Sequence, residues 1–440
     1  MSSHTTVWGM SVCPYSDAAP GLTVSDPELR ESQRKALPDG EESSPAVEEK
    51  DGLWHIRSLP LVRQVLRTSE HVTQSGFAVE TSLHAVTMKR WPVLYTDGAE
   101  HREQRAKIAR FFAPVVVNRN YRDLVIDRAE AYLAQYDDAQ PHDLAETTLL
   151  YSTQVAAKVI GLTGSDPRAL ATRLARFFNQ RETMMGDRPR GLGLLKTLPG
   201  TARSLSRLGW FFLRDVRPAI RYRKAALKKA EQGGPAAPDD VITYLINEGY
   251  NGLEITMECL TYGAAGMVTT REFLQMATWH LVENMELRQR FLVGGSDERQ
   301  QILHEILRLE PVVGQLYRKA QRELRLVDHS GAEYVIPAGA RMRLYVRQAN
   351  TDADQVGEDA LQLCPGRELP PGIRREVMSF GDGAHRCPGN SIAMLESEVF
   401  LERLFRREVT VVGQPQIQWE HVVSGYAVRN LLLTAPQRRG

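Results

Sequence analysis

Cysteine is scarce in this chain. The four residues Cys13, Cys259, Cys364 and Cys387 show no C-x-x-C spacing and no paired framework, which disfavours zinc ribbons and disulfide scaffolds. Long apolar runs are missing too: no window approaches about eighteen uninterrupted apolar residues, so no membrane anchor is predicted. The first residues, MSSHTTVWGMSVCPYSDAAPG, lack a basic n-region and an apolar h-region, so no signal peptide is expected. Charge of one sign is also absent. A formal net charge of +1 gives no bulk attraction to nucleic acid or anionic membrane. No internal repeat is visible. These absences lead to the expectation of a soluble protein in a reducing compartment, located in the cytoplasm.

What remains is an ordinary globular composition, 42% apolar and 25% charged over 440 residues, a length that large single-core folds reach. Residues 1–51, rich in Ser, Pro, Glu and Gly, read as a loosely held tail or arm. From residue 52 onward the chain reads as one domain. GLWHIRS alternates like a strand, and SLPLVRQVLRT has helical spacing. Residues 69–91 form a long, rather apolar loop of the kind that borders sites. Amphipathic helical patterns follow, interrupted at 186–200 by a Gly/Pro-rich stretch read as a mobile connection. Residues 252–282 predict a helix that is apolar on nearly every face, hence buried. At 1.5 Å per residue it would span roughly 45 Å. Its middle carries Gly263, Ala264, Ala265 and Gly266, a costly cluster in a helix. Close helix packing or room for a bulky ligand would each account for it. Strand patterns appear at 322–350 and in VTVVG, IQW and VRNLLLT near the C-terminus. Helices first, sparse strands late: this predicts a mainly α domain with small β-sheets rather than βαβ layers.

The chemistry concentrates in residues 380–389, FGDGAHRCPG. Three glycines imply a tightly folded backbone. Cys387 precedes a helical run, SIAMLESEVFLERLF, whose free N–H groups and dipole favour a thiolate. Such a thiolate is a nucleophile or a metal ligand. Elsewhere His101 and Arg105 share a helix face, and Glu305 and Arg308 lie at i, i+3; taken alone, such pairs are ordinary surface charges.

Together these segments resemble the cytochrome P450 family. FGDGAHRCPG matches that family's haem-binding loop F-x-x-G-x-H/R-x-C-x-G at every defined position. Glu305 and Arg308 match its ExxR helix, Arg318 the basic residue on the following strand, DGAEHREQR its D-G-x-x-H-x-x-x-R helix, and AAGMVTT its central helix motif A/G-G-x-D/E-T-T/S. The match runs in order from about residue 52 to the end.

The resemblance implies a mainly α fold with small sheets in a single large domain, with haem b (iron protoporphyrin IX) as cofactor. Cys387 would be the axial thiolate of the iron. Phe380 would cover the proximal face, and Gly389 would let backbone N–H groups approach the sulfur. His101, Arg105, Arg318 and His385 would hold the propionates, the two arginines by their fixed charge and forked geometry. Glu305, Arg308 and Arg367 would form a structural triad. Thr269 would serve oxygen activation. The family's usual acid before it is replaced by Val268, leaving water, substrate or Glu272 as proton sources. The implied activity is oxidation of a small organic substrate with O2, in secondary metabolism. Electrons would come from a separate ferredoxin or flavodoxin-like partner docked on Arg102, Lys107, Arg110, Arg374, Arg375 and Arg386. Residues 69–91, 263–269, 312–316 and 424–429 would line the substrate pocket. Oxidative aryl coupling without oxygen insertion, and a catalytically silent haem-binding protein, are the alternatives.

Overall fold

The computed structural model describes residues 33–36, 44–76, 88–178, 205–421 and 423–438. The connection read at 186–200, most of the N-terminal arm and residues 77–87 of the candidate pocket loop lie outside them.

The spine is one helix, α8, Gly252–Glu283, numbered in chain order after seven earlier helices. Asn251 and Glu254 close a reciprocal capping box at its start, satisfying backbone donors that would otherwise be orphaned. Buried positions occur on most of its faces, because helices surround it. It packs against α4 (Leu144–Ile160), α5 (Pro167–Phe178), α10 (Ser296–Leu309) and α13 (Asn390–Phe405). The small residues have contact reasons: a Cβ on Gly263 would meet Leu174 at 3.2 Å, and one on Gly266 would meet Ala156 at 3.4 Å. α1 (Leu59–Arg67), α2 (Gly98–Phe112), α3 (Pro114–Leu133), α6 (Arg217–Glu231), α7 (Val241–Asn247) and α9 (Met285–Val293) complete the main helices. Among the described residues no helix is long and apolar enough to cross a membrane.

The strands form small sheets. The largest has the order β1-β2-β8-β5-β3, built from Val47–Lys50, Leu53–Ile56, Arg341–Tyr345, Gln315–Ala320 and Val72–Ser75. β2 pairs with β8 in parallel, Leu53 opposite Arg341, and β3 pairs antiparallel with β5, Gln74 opposite Arg318. β6 (Leu324–Val327) and β7 (Glu333–Ile336) make a hairpin, β10 (Gln416–Glu420) and β11 (Gly425–Arg429) another, and β4 (His142–Asp143), β12 (Leu432–Thr434) and β9 (Thr410–Val412) a three-stranded sheet. Two apolar cores result, one among the helices and one between α1 and the large sheet.

Four sequence expectations shift. Ordered structure starts upstream of residue 52, since β1 pairs with β2 and Arg34 is buried, donating to the Arg347 carbonyl at 2.7 Å. Strand β5 begins at Gln315, earlier than the pattern suggested, because the sheet covers it on both edges. Residues 346–349, read as strand, form a helical turn, α11, in which Arg347 turns inward to Glu310. Cys364 is disulfide-bonded, against the reading of unpaired thiols, whereas Cys259 and Cys387 are free.

The Glu305–Arg308–Arg367 triad is fully assembled. Arg308 grips both Glu305 oxygens at 2.7 Å and donates onward to the carbonyls of Asn350 and Ala360. Arg367 reaches Glu305 at 3.2 Å. Burial resists ionisation of Glu305, but the two guanidiniums and the Cys364 N–H hold its carboxyl below the usual range. This ties α10 to the meander that delivers the cysteine loop.

Candidate active site

The cysteine loop is shaped by close backbone contact. Gly383 has φ +65°, and a Cβ there would lie 2.1 Å from the Leu66 carbonyl oxygen at the end of α1. Only glycine fits that approach. Asp382 caps the turn by accepting from the Gly383 N–H at 2.8 Å, and Arg63 and Arg67 of α1 bind its carboxylate. The Cys387 N–H donates to the Phe380 carbonyl at 2.8 Å, bringing the half-buried Phe380 back against the cysteine.

Cys387 precedes α13, with Gly389 at the cap. A Cβ on Gly389 would stand 3.9 Å from Sγ. Burial pushes the Cys387 thiol up. The N–H groups of Gly389 and Asn390 and the charges of Arg105 and Arg386 pull the other way without prevailing. The expectation that the helix start alone favours a thiolate is therefore corrected: in the free protein desolvation wins. A coordinated cation would reverse that balance.

A cationic rim gathers around Asp97. The rings of His101 and His385 stack with centroids 3.9 Å apart, and His385 Nε2 lies 3.0 Å from Asp97 Oδ1. Asp97 also accepts from the Gln74 N–H, in register with Arg318 on β5. Arg318 is buried, and among the described residues no carboxylate lies within ion-pair distance of it. Its Nη1 donates only to the Tyr317 carbonyl at 2.7 Å. Burial pulls it down to about 10, with Asp97 opposing, so it stays charged at neutral pH. Arg105 donates to the Arg386 carbonyl and likewise has no carboxylate partner among the described residues. His101 is pulled down to about 4 by burial and then by the charges of His385 and Arg105. It is neutral at pH 7 and serves as a hydrogen-bonding group rather than a cation. A buried guanidinium, Arg318, and a half-buried one, Arg105, are costly without carboxylates unless an anion joins them.

On α8, Ala265 is exposed and Thr269 half-buried in the middle of an otherwise buried helix, so this face is left open. The Thr269 hydroxyl donates to the Ala265 carbonyl at 2.6 Å, the common intrahelical arrangement. Its oxygen keeps lone pairs free to accept. Val268 is buried in the helical core. Glu272 is not a free acid: Arg271 and Arg429 bind its two oxygens and Gln275 adds a third donor. Arg429 ends strand β11, whose first residue is pressed so tightly onto residues 312–314 that a Cβ on Gly425 would meet the Val312 carbonyl at 2.2 Å. Of the basic residues read as a docking face, all but Arg102 pair with carboxylates: Lys107 with Glu103 and Glu248, Arg110 with Asp239, Arg374 with Asp382, Arg375 with Asp297 and Arg386 with Glu376.

The donor set fits haem: a half-buried cysteine ringed by N–H groups, two uncompensated arginines for two propionates, and an open helix face. The sequence singled out DGAEHREQR without giving Asp97 its role as the hub of the rim, and it did not single out the buried Glu258 and Tyr262 of α8 at all.

Comparison with known proteins agrees. The family model of cytochrome P450 matches residues 299–417, which hold the triad glutamate and arginines as well as the cysteine loop. The putative cytochrome P450 135A1 of Mycobacterium tuberculosis is 24% identical over 398 residues, covering 84% of each chain.

In these matches the chain resembles the cytochrome P450 family.

The steroid C26-monooxygenase of Rhodococcus jostii is 23% identical over 381 residues, covering 83% of this chain and 72% of that protein. In fold, a mutant of P450 EryK in complex with erythromycin B superposes with a TM-score of 0.67 at 21% identity, covering 90% of this chain and 95% of that chain. These likenesses support a P450 monooxygenase with haem as its cofactor.

Proposed function

We propose that this P450 oxidises a small or medium-sized, largely apolar organic molecule with O2, in secondary metabolism, using electrons from a separate ferredoxin or flavodoxin-like donor. The observation that carries the reading is the pair of carboxylate-free arginines, half-buried Arg105 and buried Arg318, on the rim of the Cys387 site beneath an open face of α8. The haem would be haem b. When bound, it supplies oxygen activation and removal of electrons from the substrate.

The chain's own residues do the rest. Cys387 ligates the iron through Sγ, with Gly389 and Asn390 N–H groups tempering the sulfur's charge. Phe380 keeps water from the sulfur. Arg105 and Arg318 grip the propionates, and the stacked rings of His101 and His385 donate to them. Thr269 accepts a hydrogen bond through the oxygen its intrahelical bond leaves free. Glu305, Arg308 and Arg367 hold the meander and take no part in the chemistry. The relatives named for a steroid and the structure containing a macrolide support a rigid, mostly apolar substrate. Residues 263–269, 312–316 and 424–429, with the part of 69–91 that is described, would line its pocket.

Two measurements test this. The reduced, carbon-monoxide-bound protein should show the Soret band of a thiolate ligand, and Cys387→Ala should lose it; a band typical of histidine ligation would overturn the assignment. Product formed under labelled dioxygen should carry the label. Unlabelled, ring-coupled product would instead establish the second reading, oxidative aryl coupling, which the apolar Val268 favours. Full haem loading without turnover of any substrate would point to a silent haem-binding protein.

A further inference from the structure

Val268 leaves no acid beside Thr269, and Glu272 is tied up by two arginines. Another acid stands upstream on the same helix. Glu258, Tyr262, Ala265 and Thr269 are spaced i, i+4, i+7 and i+11, which places them on one stripe of α8. Glu258 is 4% exposed. Its Oε1 accepts from the Val93 N–H at 3.3 Å, while its Oε2 is buried without a partner. The Tyr262 hydroxyl is also buried without a partner. Burial raises the Glu258 carboxyl to about 8, with only the Val93 N–H opposing, so it carries its proton at neutral pH.

Every ionisable group set against Glu258 is neutral at that pH: Tyr95 just before α2, Tyr244 on α7, Tyr250 before α8, and Cys259 and Tyr262 on α8. Tyr244 and Tyr250 are half-buried, with Arg110 and Arg90 stacked over their rings at 5.5 and 4.6 Å. Glu258 is thus set among tyrosine hydroxyls, those of the half-buried Tyr244 and Tyr250 and that of Tyr262 one turn on along the same helix. With a rise of 1.5 Å per residue, Tyr262 stands about 10 Å and Glu258 about 16 Å from Thr269 along the axis.

We propose that Glu258, with Tyr262 as relay, is the proton-delivery group of this P450, in place of the acid absent at position 268. The proposal rests on the haem-site reading above. In each transfer the carboxyl O–H of Glu258 breaks as its proton passes to the Tyr262 hydroxyl, which releases its own proton toward Thr269. The carboxylate is reprotonated from solvent past Tyr244 and Tyr250. Waters bridge the gaps, and no electron moves.

The competing role is a tether, because Glu258 and Glu254 both accept N–H groups of the 90–93 segment. Glu258→Gln separates the two: the amide oxygen keeps the acceptor and the acid is gone. In haem-loaded wild type, infrared spectra should show a protonated carboxyl band that shifts in D2O, disappears as pH rises through about 8 and is missing in E258Q. Glu396→Gln identifies the band of the other buried, unpartnered acid. With a surrogate ferredoxin and its reductase, dioxygen consumption should fall roughly tenfold in E258Q and lose the wild-type decline above about pH 8. Tyr262→Phe should fall similarly, and V268D should restore E258Q. A wild-type rate and pH profile in E258Q, with the thiolate spectrum intact, would sink the proposal and leave the haem reading standing. A missing thiolate spectrum in the wild type would sink both. If E258Q does not fold, Y262F decides, since its full activity would exclude the relay.

Discussion

At the scale of single residues, the site is a set of groups held where their chemistry is unfavourable without a ligand. His101 and Glu258 make this measurable through pH, with opposite signs. His101 is held down to about 4 from 6.5, so the stability tied to its neutral form is present above pH 6.5 and lost as pH falls toward 4. Glu258 is held up to about 8 from 4.5, so its contribution is complete below pH 4.5 and lost as pH rises through 8. The two contributions are on the order of 3 kcal/mol for His101 and 5 kcal/mol for Glu258 across their windows. Denaturant titrations of the haem-free protein should therefore show E258Q more stable than wild type at pH 8 and close to it at pH 4.5. Equal gains at both values would contradict the linkage. Gly383→Ala is expected to cost at least 1–2 kcal/mol from the positive φ alone, by about the usual left-handed penalty. Its clash with Leu66 should displace the loop, read as reduced haem retention at unchanged helix content.

Among the elements, the junction between α10 and the meander stands out. Glu305 and Arg308 are both buried, and removing one partner of such a pair typically costs about 3–5 kcal/mol. Arg308→Leu should therefore lower the thermal midpoint sharply and release haem, whereas Arg325→Leu, in an exposed pair on the β6–β7 hairpin, should change it by less than about 1 kcal/mol. Comparable losses in the two variants would remove the triad's structural role. α8 shows why its residue types could be read in two ways: Gly263 and Gly266 make close contacts with α4 and α5, and the open patch at Ala265 sits between them on another face. Packing and ligand room are both present, on different sides of one helix.

For the molecule as a whole, haem binding and folding should be coupled. The helical core and the sheet core meet around the cysteine loop, and Arg105, Arg318 and Asp382 join elements distant in sequence. A ligand at a thousand times its dissociation constant adds about 4 kcal/mol, so haem-loaded protein should melt several degrees above haem-free protein. Cys387→Ala should lose part of that increment, and no difference between the two forms would refute the coupling. Because the basic residues read as a docking face are mostly ion-paired, the electron donor's reduction rate should respond more to Arg102→Glu than to Arg375→Glu. Stopped-flow reduction at low salt measures it.

The sequence by itself determined the mainly α character, the helix at 252–283 and the Cys387 loop, because glycine placement, apolar periodicity and the motif are local properties. It also put His101, Arg105 and Arg318 among the candidates by resemblance. Only the tertiary structure decided what those side chains lack or have as partners. Arg318 is uncompensated because β3, β5 and the α2 cap meet there. Glu272 is neutralised by Arg429 from a strand 157 residues away, and Glu258 is left with one unpartnered oxygen under the 93–95 segment. Ionisation in a buried site depends on desolvation and on charges brought together across the chain, and neither can be read from the neighbours of a residue in sequence.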